Sequence, residues 1–386
     1  MKILFVHDHI FLTKNGKVYS NTFSYSILKR YIDIFSEVTF VARQREVEDT
    51  MEFPLASGNG IKFIFLKSVS SVGSYFGLRN EYKKVLKNLI AEHDGVIVRL
   101  PSELGLMASS VAWEMQKKCL GEVVGCAWDA MWNYGKWYSK VYAPLLYMKM
   151  RIAVKRLEYL SYVTEVFLQK RYPASDSAKT IGVSDVEVEA SNEEIIRKRI
   201  EKIENLSGRV VFGTIANLDV GYKGIDVAMK TLAEAMKNDF EYRLIGAGDT
   251  AKHQKMAKHL GIAEQIYFDG VRVGGDAVSE WLDTIDIYLQ PSKQEGLPRA
   301  LVEAMSRGCP AIGSSVGGIP ELLSPEMIFE HQDLAEFKRV IVDLVNSKEE
   351  MKRQAVINYE RAKDFDSTVL NKKRNAFLLA FRNDLR

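Results

Sequence analysis

Residues 290–313 read Gln290-Pro291-Ser292-Lys293-Gln294-Glu295-Gly296-Leu297-Pro298-Arg299-Ala300-Leu301-Val302-Glu303-Ala304-Met305-Ser306-Arg307-Gly308-Cys309-Pro310-Ala311-Ile312-Gly313. The apolar run 287–290 in front of this stretch is a strand, and Pro291-Ser292 ends it. A loop with Glu295 and Gly296 follows, Pro298 suits the first helical position, Gly308 marks the stop, and 310–313 is the next strand. Strand, loop, helix and strand in this order form one unit of a parallel sheet flanked by helices.

The same alternation extends outward. Strand candidates in this half are 210–214, 242–245, 265–268, 287–290 and 310–313; in the first half they are 2–6, 38–42, 62–65 and 95–98. Residues 21–34, with Tyr25, Ile27, Leu28, Tyr31 and Ile32, carry the apolar spacing of a crossover helix, and 82–91 repeats it. The polar, acid-rich stretch 177–207, with a short helix over 192–205, reads as the passage between halves. A chain of 386 residues exceeds one ordinary core. The expectation is an α/β protein of two facing, doubly wound domains with a cleft between them, 1–182 and 183–367. The tail 368–386, apolar through Val369, Leu370, Phe377, Leu378, Leu379 and Phe381, is expected to return to the first domain. Ligands belong at the C-terminal ends of the strands.

Composition excludes several classes. No stretch of 18 apolar residues spans a membrane, and the run before His7 is too short for a secretion signal. Cys119, Cys126 and Cys309 are too scattered for a disulfide framework or a zinc site, so the reading is cytoplasmic. Residues 1–182 carry 25 Lys and Arg against 17 Asp and Glu, and the rest 28 against 33. A basic first half suits an anionic partner there.

Around residue 296 the physics favours a phosphate and a polyol. Backbone N–H groups at the helix start, near Gly296, Leu297 and Arg299, present positive potential to an anion. Gly296 allows close approach. Glu303 sits among Leu301, Val302, Ala304 and Met305, where a carboxylate needs donors, and sugar hydroxyls supply them. On spacing alone, a helix-surface Glu303 and a solvated Glu295 read equally well.

The two glutamates form a Glu-x7-Glu pair within Glu295-Gly-Leu-Pro-Arg-Ala-Leu-Val-Glu303-Ala-Met. Gly317-Gly318-Ile319-Pro320-Glu321 follows; Gly221-Tyr222-Lys223-Gly224, Leu244-Ile245-Gly246-Ala247-Gly248 and Phe268-Asp269-Gly270 precede it. In this order, across roughly 210–323, the five elements resemble those of retaining GT-B glycosyltransferases of family 4, with two Rossmann-like domains. The resemblance implies roles. Lys223 contacts the donor diphosphate, Glu303 the ribose hydroxyls, and Glu295 the transferred sugar. Backbone from Gly296 to Arg299 receives the diphosphate, Val271 and Arg272 flank the base, and Gly317 and Gly318 complete the donor site. One departure stands out: the family usually has an arginine six residues before the lysine, and here that position is Asn217. Arg272, Lys293 and Arg299 are the candidate substitutes.

The first half matches only in general pattern. His7-Asp8-His9 follows the first strand candidate, so His7 and His9 are expected to line the cleft rather than bind metal. Asn15-Gly16-Lys17 is a turn, with Lys17 in place of a glycine-rich loop. Arg99 ends the strand 95–98 and reads either as a cleft residue or as a surface arginine. Cys126-Ala-Trp-Asp129-Ala-Met-Trp-Asn133 resembles the Asp-Pro-Trp-Asp segment of some polysaccharide-building members of the family, which makes Asp129 the candidate cleft group. Packing of Trp128 and Trp132 is the competing explanation. Residues 136–156 hold six basic and no acidic residues among Trp137, Tyr138, Tyr142, Leu145, Leu146, Tyr147 and Met150. That suits an anionic membrane face or an ordinary half-buried helix.

The resulting expectation is a retaining, metal-independent transferase with a nucleotide-sugar donor, UDP-linked. The acceptor is a glycan or a polyprenyl-diphosphate-linked chain in surface polysaccharide synthesis. No cofactor and no nucleic acid is expected. The one Asp-x-Asp triplet, Asp364-Phe365-Asp366, reads as solvated surface. Two rivals remain: a nucleotide-sugar epimerase of the same fold, and a weakly active nucleotide-sugar-binding subunit.

Overall fold

Ile3, Leu4, Phe5 and Val6 are fully buried in strand β1 (Lys2–Lys14), as a parallel strand covered on both faces requires. The computed structural model of the chain describes residues 1–386 except 49–52, 68–71, 190–191, 238, 273–274 and 386, and except the side chains of 72–76. Two units make up the chain: Met1–Val183 with Asn371–Arg386, and Ser184–Leu370.

In the first unit β1 is joined by β2 (Lys17–Tyr19), β3 (Glu37–Glu46), β4 (Ile61–Phe65), β5 (Gly95–Leu100), β6 (Cys119–Val123), β7 (Tyr159–Tyr162) and β8 (Lys179–Gly182). Their order is β4-β3-β1-β5-β6-β7-β8, parallel apart from β2, which pairs antiparallel with β1. The helices are α1 (Tyr25–Phe35), α2 (Val72–Glu92), α3 (Glu103–Glu114), α4 (Ala127–Trp132), α5 (Trp137–Arg156) and α6 (Phe167–Arg171). Helix α1 buries Leu28, Tyr31, Ile34 and Phe35, the spacing of one helical face. It starts later than residue 21 because Ser20 Oγ accepts from the N–H groups of Thr22 (3.1 Å) and Phe23 (3.0 Å), holding a turn there.

The second unit contains α7 (Glu193–Glu204), β9 (Val210–Ile215), α8 (Ile225–Met236), β10 (Phe240–Ile245), α9 (Ala251–His259), β11 (Ile266–Phe268) and α10 (Asp276–Thr284). It continues through β12 (Ile287–Gln290), α11 (Arg299–Ser306), β13 (Ala311–Ser314), β14 (Ile328–Phe329), α12 (Leu334–Val345) and α13 (Lys348–Ala362). All pairings are parallel, in the order β11-β10-β9-β12-β13-β14. The stretch read as a passage is partly built into this unit: buried Arg199 of α7 donates to the carbonyls of Leu282 (2.9 Å) and Arg307 (3.1 Å).

Helix α14 (Ser367–Asp384) starts in the second unit and ends in the first. Its Phe381 is buried among Ile3, Phe5 and Phe35, and the Tyr159 hydroxyl donates to the Ala380 carbonyl (3.3 Å). Asp364 pairs with Arg361 (2.6 Å), while Asp366 accepts from the Thr368 N–H (2.8 Å) at the start of α14. Both carboxylates of the triplet therefore have structural partners. Among the described residues no helix is long and apolar enough to cross a membrane.

In each sheet the chain order reverses once, between β1 and β5 and between β9 and β12. Ligands of doubly wound sheets bind at the strand ends beside such reversals.

Candidate active site

In the second unit the loop after β12 is fastened on two sides. The Lys293 N–H donates to the Tyr222 carbonyl (2.7 Å), the Gly318 N–H to the Gly296 carbonyl (2.7 Å), and Ser314 Oγ to the Ser292 carbonyl (2.6 Å). Two glycines make this approach feasible. A Cβ on Gly224 (φ +71°) would lie 1.8 Å from the Pro291 oxygen, and one on Gly317 (φ +60°) 2.3 Å from the Glu295 oxygen. Pro298 is the N-cap rather than the first helical residue: its ψ of 110° is extended, and α11 begins at Arg299.

The Glu295 side chain is 9% exposed. Its Oε1 accepts from Lys223 Nζ (2.7 Å), Ser292 Oγ (2.7 Å) and Gln290 Nε2 (2.9 Å). Gln290 Oε1 in turn accepts from the Tyr288 hydroxyl (3.2 Å), and that hydroxyl accepts from the Ile215 N–H (3.2 Å). A cation and a carboxylate from separate loops are thus fixed at the end of β12 by a network reaching β9. Gln290 and Ser292 escaped the sequence reading. Ser292, three residues before Glu295 in a turn, was the only available signal.

Glu303 presents the opposite case. It is half-buried one turn into α11, and no hydrogen bond or ion pair reaches its carboxylate among the described residues. Burial pushes its pKa above the ordinary 4.5, and the nearby Arg299 charge opposes that only in part. Asn217 at the end of β9 is exposed, and its Oδ1 accepts from the Asp219 N–H (2.9 Å). Of the proposed substitute cations, Lys293 lies 3.4 Å from Asp226, and Arg299 is exposed. Val271 and Arg272 lie exposed beyond β11 and join none of these contacts.

In the first unit His7 and His9 stand within β1, not beyond its end. The β1–β3 register shifts between Val6 and Ile10, and pairing resumes from Ile10↔Arg43 to Thr13↔Glu46. This irregularity re-aims the three residues 7–9. Asn15 (φ 48°) and Gly16 (φ 73°) form the expected turn, but it closes a hairpin in which exposed Lys17 opens β2 opposite Lys14. The hairpin explains the strand's length: β2 gives the far end of β1 a partner. Asp8 is tied to Arg43 Nε (3.0 Å) and to the Leu104 N–H at the start of α3 (3.0 Å). His9 Nε2 meets Ser20 Oγ at 2.8 Å, while His7 Nδ1 is buried without a hydrogen-bond partner among the described residues. Burial, then the Arg99 charge, depress both imidazoles, His7 to about 3 and His9 to about 4, so both are neutral at pH 7.

Arg99 is not a surface arginine. Its guanidinium lies 2.9 Å from Glu122 Oε2, with the two side chains 14% and 11% exposed, and the Tyr31 hydroxyl donates to Glu122 Oε1 (2.6 Å). Asp129, in the first turn of α4, faces Arg171 at 4.0 Å. The Trp128 and Trp132 rings stack at 5.3 Å, so packing accounts for that segment in part.

Residues 209–347 fit the family model "Glycosyl transferases group 1". Over 389 aligned residues the chain is 28% identical to protein CapJ of Staphylococcus aureus, covering 99% of this chain and 96% of that one. It is 36% identical over 113 residues to the amylovoran biosynthesis glycosyltransferase AmsK of Erwinia amylovora, covering 26% of this chain and 27% of AmsK. In fold it is similar to Anabaena HepE crystallised with UDP, at a TM-score of 0.67 and 14% identity, covering 98% of this chain and all of that one. The fold is GT-B, two parallel-sheet Rossmann-like units. The chain is a glycosyltransferase, and its residues 209–347 match the group 1 model.

Proposed function

We propose that this glycosyltransferase takes a sugar from a UDP-sugar, with retention and without metal, and adds it to a lipid-linked glycan in bacterial surface-polysaccharide synthesis. The observation that carries the donor reading is Glu303, a half-buried carboxylate without a donor among the described residues, on the helix that starts beside the Lys223–Glu295 pair. Ribose hydroxyls would supply the missing donors. Lys223 and the N–H groups at the start of α11 would take the diphosphate, and Glu295, aimed by Gln290 and Ser292, the sugar hydroxyls. Stabilising charge on the leaving diphosphate is the main demand of such a transfer. The UDP in HepE and the polysaccharide role in AmsK's name support the donor and the pathway class.

For the acceptor His7 is the group of interest, neutral and with Nδ1 unpartnered among the described residues. It would accept or donate a hydrogen bond to the incoming hydroxyl. Membrane contact is assigned to α5, where Trp137 (79% exposed) and Val141 (71%) stand among Lys136, Lys140, Lys149 and Arg151. An exposed apolar row with cations beside it suits the interface of an anionic bilayer.

The test is a metal-free thermal-shift series with UDP, GDP and TDP, run on the chain and on Glu303→Ala. UDP should raise the transition, by about 2.7 kcal/mol at a hundred times its dissociation constant, and the substitution should remove most of that. A shift that persists in the mutant would refute the assigned donor site.

A further inference from the structure

The first unit carries an open concavity of about 330 Å³ lined by α2, α3 and α5. Four cations line it: Arg79 and Lys83 from α2, Lys149 and Arg156 from α5, against one lining carboxylate, Glu103. The cations differ in commitment. Lys83 lies 3.0 Å from Glu114 in an exposed pair, and Lys149 lies 3.8 Å from Glu103. Arg156 stacks over the Trp113 ring at 4.1 Å. No acidic side chain is paired with Arg79 among the described residues.

The wall between these charges is apolar. Leu106 and Met107 of α3 and Ile152 of α5 line the same space. Ile152 is 47% exposed and shares α5 with exposed Met148 (53%) and Leu145 (52%). Four cations around a volume of headgroup size, opening beside an exposed apolar row, match an anion that carries an alkyl chain.

We propose that this pocket binds the phosphate monoester or diphosphate head of a lipid, with the lipid's chain lying along the exposed row of α5. A compact terminal phosphate can meet several cations at once, with charge-assisted hydrogen bonds from the guanidinium groups. A phosphodiester capped by glycerol offers less charge and less access. The inference rests on the membrane contact proposed above, sharpens it from a charged surface to a built headgroup site, and uses no group assigned to sugar transfer.

Vesicle sedimentation of the full chain tests it with three lipid compositions: phosphatidylcholine alone, and phosphatidylcholine mixed with phosphatidate or with phosphatidylglycerol at matched surface potential. Binding should favour phosphatidate. Replacing Arg79 and Lys83 together by Ala should lower the phosphatidate partition coefficient about thirtyfold, the effect of two near-surface cations. The loss on phosphatidylglycerol should be clearly smaller, and Arg79→Lys with Lys83→Arg should retain most binding. Both side chains are exposed, so an unchanged thermal transition checks the fold. Equal binding to the two anionic vesicles, or equal losses on both, would overturn the pocket while leaving membrane contact standing. No binding to either would overturn both. Full competition by millimolar inorganic phosphate would overturn the lipid assignment and leave a free-phosphate site.

Discussion

Each of the two sheets places an ion pair near its reversal point, and the two pairs are built differently. In the second unit Lys223–Glu295 joins two loops, and Glu295 is further held by Gln290 and Ser292. In the first, Arg99–Glu122 joins neighbouring strands, β5 and β6, under two histidines that burial keeps neutral. Their surfaces differ as well. Among the described residues the first unit exposes Trp113, Trp132, Tyr134, Trp137 and Val141, while the second exposes only Val271, Leu334, Val356 and Val369 among large apolar side chains. The difference separates a carboxylate held between loops by three side chains from a charge pair bound into neighbouring strands.

Removing the cation from each pair is the sharpest way to break that contrast. Lys223→Ala should lower kcat by about 10²–10³-fold, the usual effect of losing one charge-stabilising group. Its stability cost should stay near ~1–2 kcal/mol, because Glu295 keeps two neutral donors. Arg99→Ala leaves Glu122 buried with the Tyr31 hydroxyl, so it should cost about 3 kcal/mol or more of stability. Urea melts beside single-turnover rates separate the two outcomes. If Arg99→Ala folded normally and lost transfer instead, the first unit's pair would be a substrate group and the contrast would fail.

Glu303 provides the next largest effect. Ala at this position should weaken UDP about thirtyfold, or about 2 kcal/mol, since hydrogen bonds to an ionised group are the stronger kind. The pH dependence is more telling. Its pKa lies above 4.5 in the folded chain because burial disfavours the charge, and hydroxyl donors favour the carboxylate. UDP binding should therefore release a proton and weaken as pH falls through the raised pKa. Calorimetry in buffers of different ionisation enthalpy measures that release. Binding by Glu303→Gln should lack it.

How much of this was legible depends on how far apart the partners lie in sequence. The β12–α11 stretch, the two glutamates and the glycines at 224 and 317 are local patterns, and backbone geometry dictates them. The Lys223–Glu295 contact joins residues 72 apart, and Arg99–Glu122 needs β5 and β6 in register. Neither partner is dictated by its own neighbourhood, so Arg99 still read as a possible surface residue. The run 2–6 revealed a strand but not its extension to Lys14, which depends on pairing with β3 and on the Asn15-Gly16 hairpin. Lys17 accordingly read as a loop residue.

The histidines test the first unit on its own terms. Their folded values, about 3 and about 4, lie below the ordinary 6.5, so the unfolded chain binds more protons as the medium acidifies. The stability the two histidines contribute is fully present above pH 6.5 and is lost as pH drops through 6.5 toward 4. The slope is up to about 1.4 kcal/mol per pH unit for each histidine. Denaturant midpoints measured from pH 7 to 5 should show the fall, and His7→Asn with His9→Asn should flatten it. A slope unchanged by the double substitution would assign the acid sensitivity to other groups.

The smallest effect concerns Asn217, where the second unit departs from the motif pattern it resembles. The Asn217 side chain holds the loop through its bond from the Asp219 N–H and offers no cation to a diphosphate. Asn217→Arg would forfeit that neutral bond, worth about 1 kcal/mol, and add a charge-assisted one worth about 1.5–3 kcal/mol. The lost bond is missing from free and bound chain alike and lowers stability only; the new one, screened at this exposed position to about 1 kcal/mol, should tighten UDP roughly fivefold. Titration at two salt concentrations checks the cause, since an added phosphate contact makes binding to this exposed position more salt-sensitive. Tighter UDP without faster transfer would place the new cation on the ground state alone; a matching rise in kcat would show that the natural chain works with an incomplete charge clamp. No change in either would mean that the diphosphate does not pass residue 217, and the second unit's site would have to be redrawn around Lys223 and the start of α11 alone.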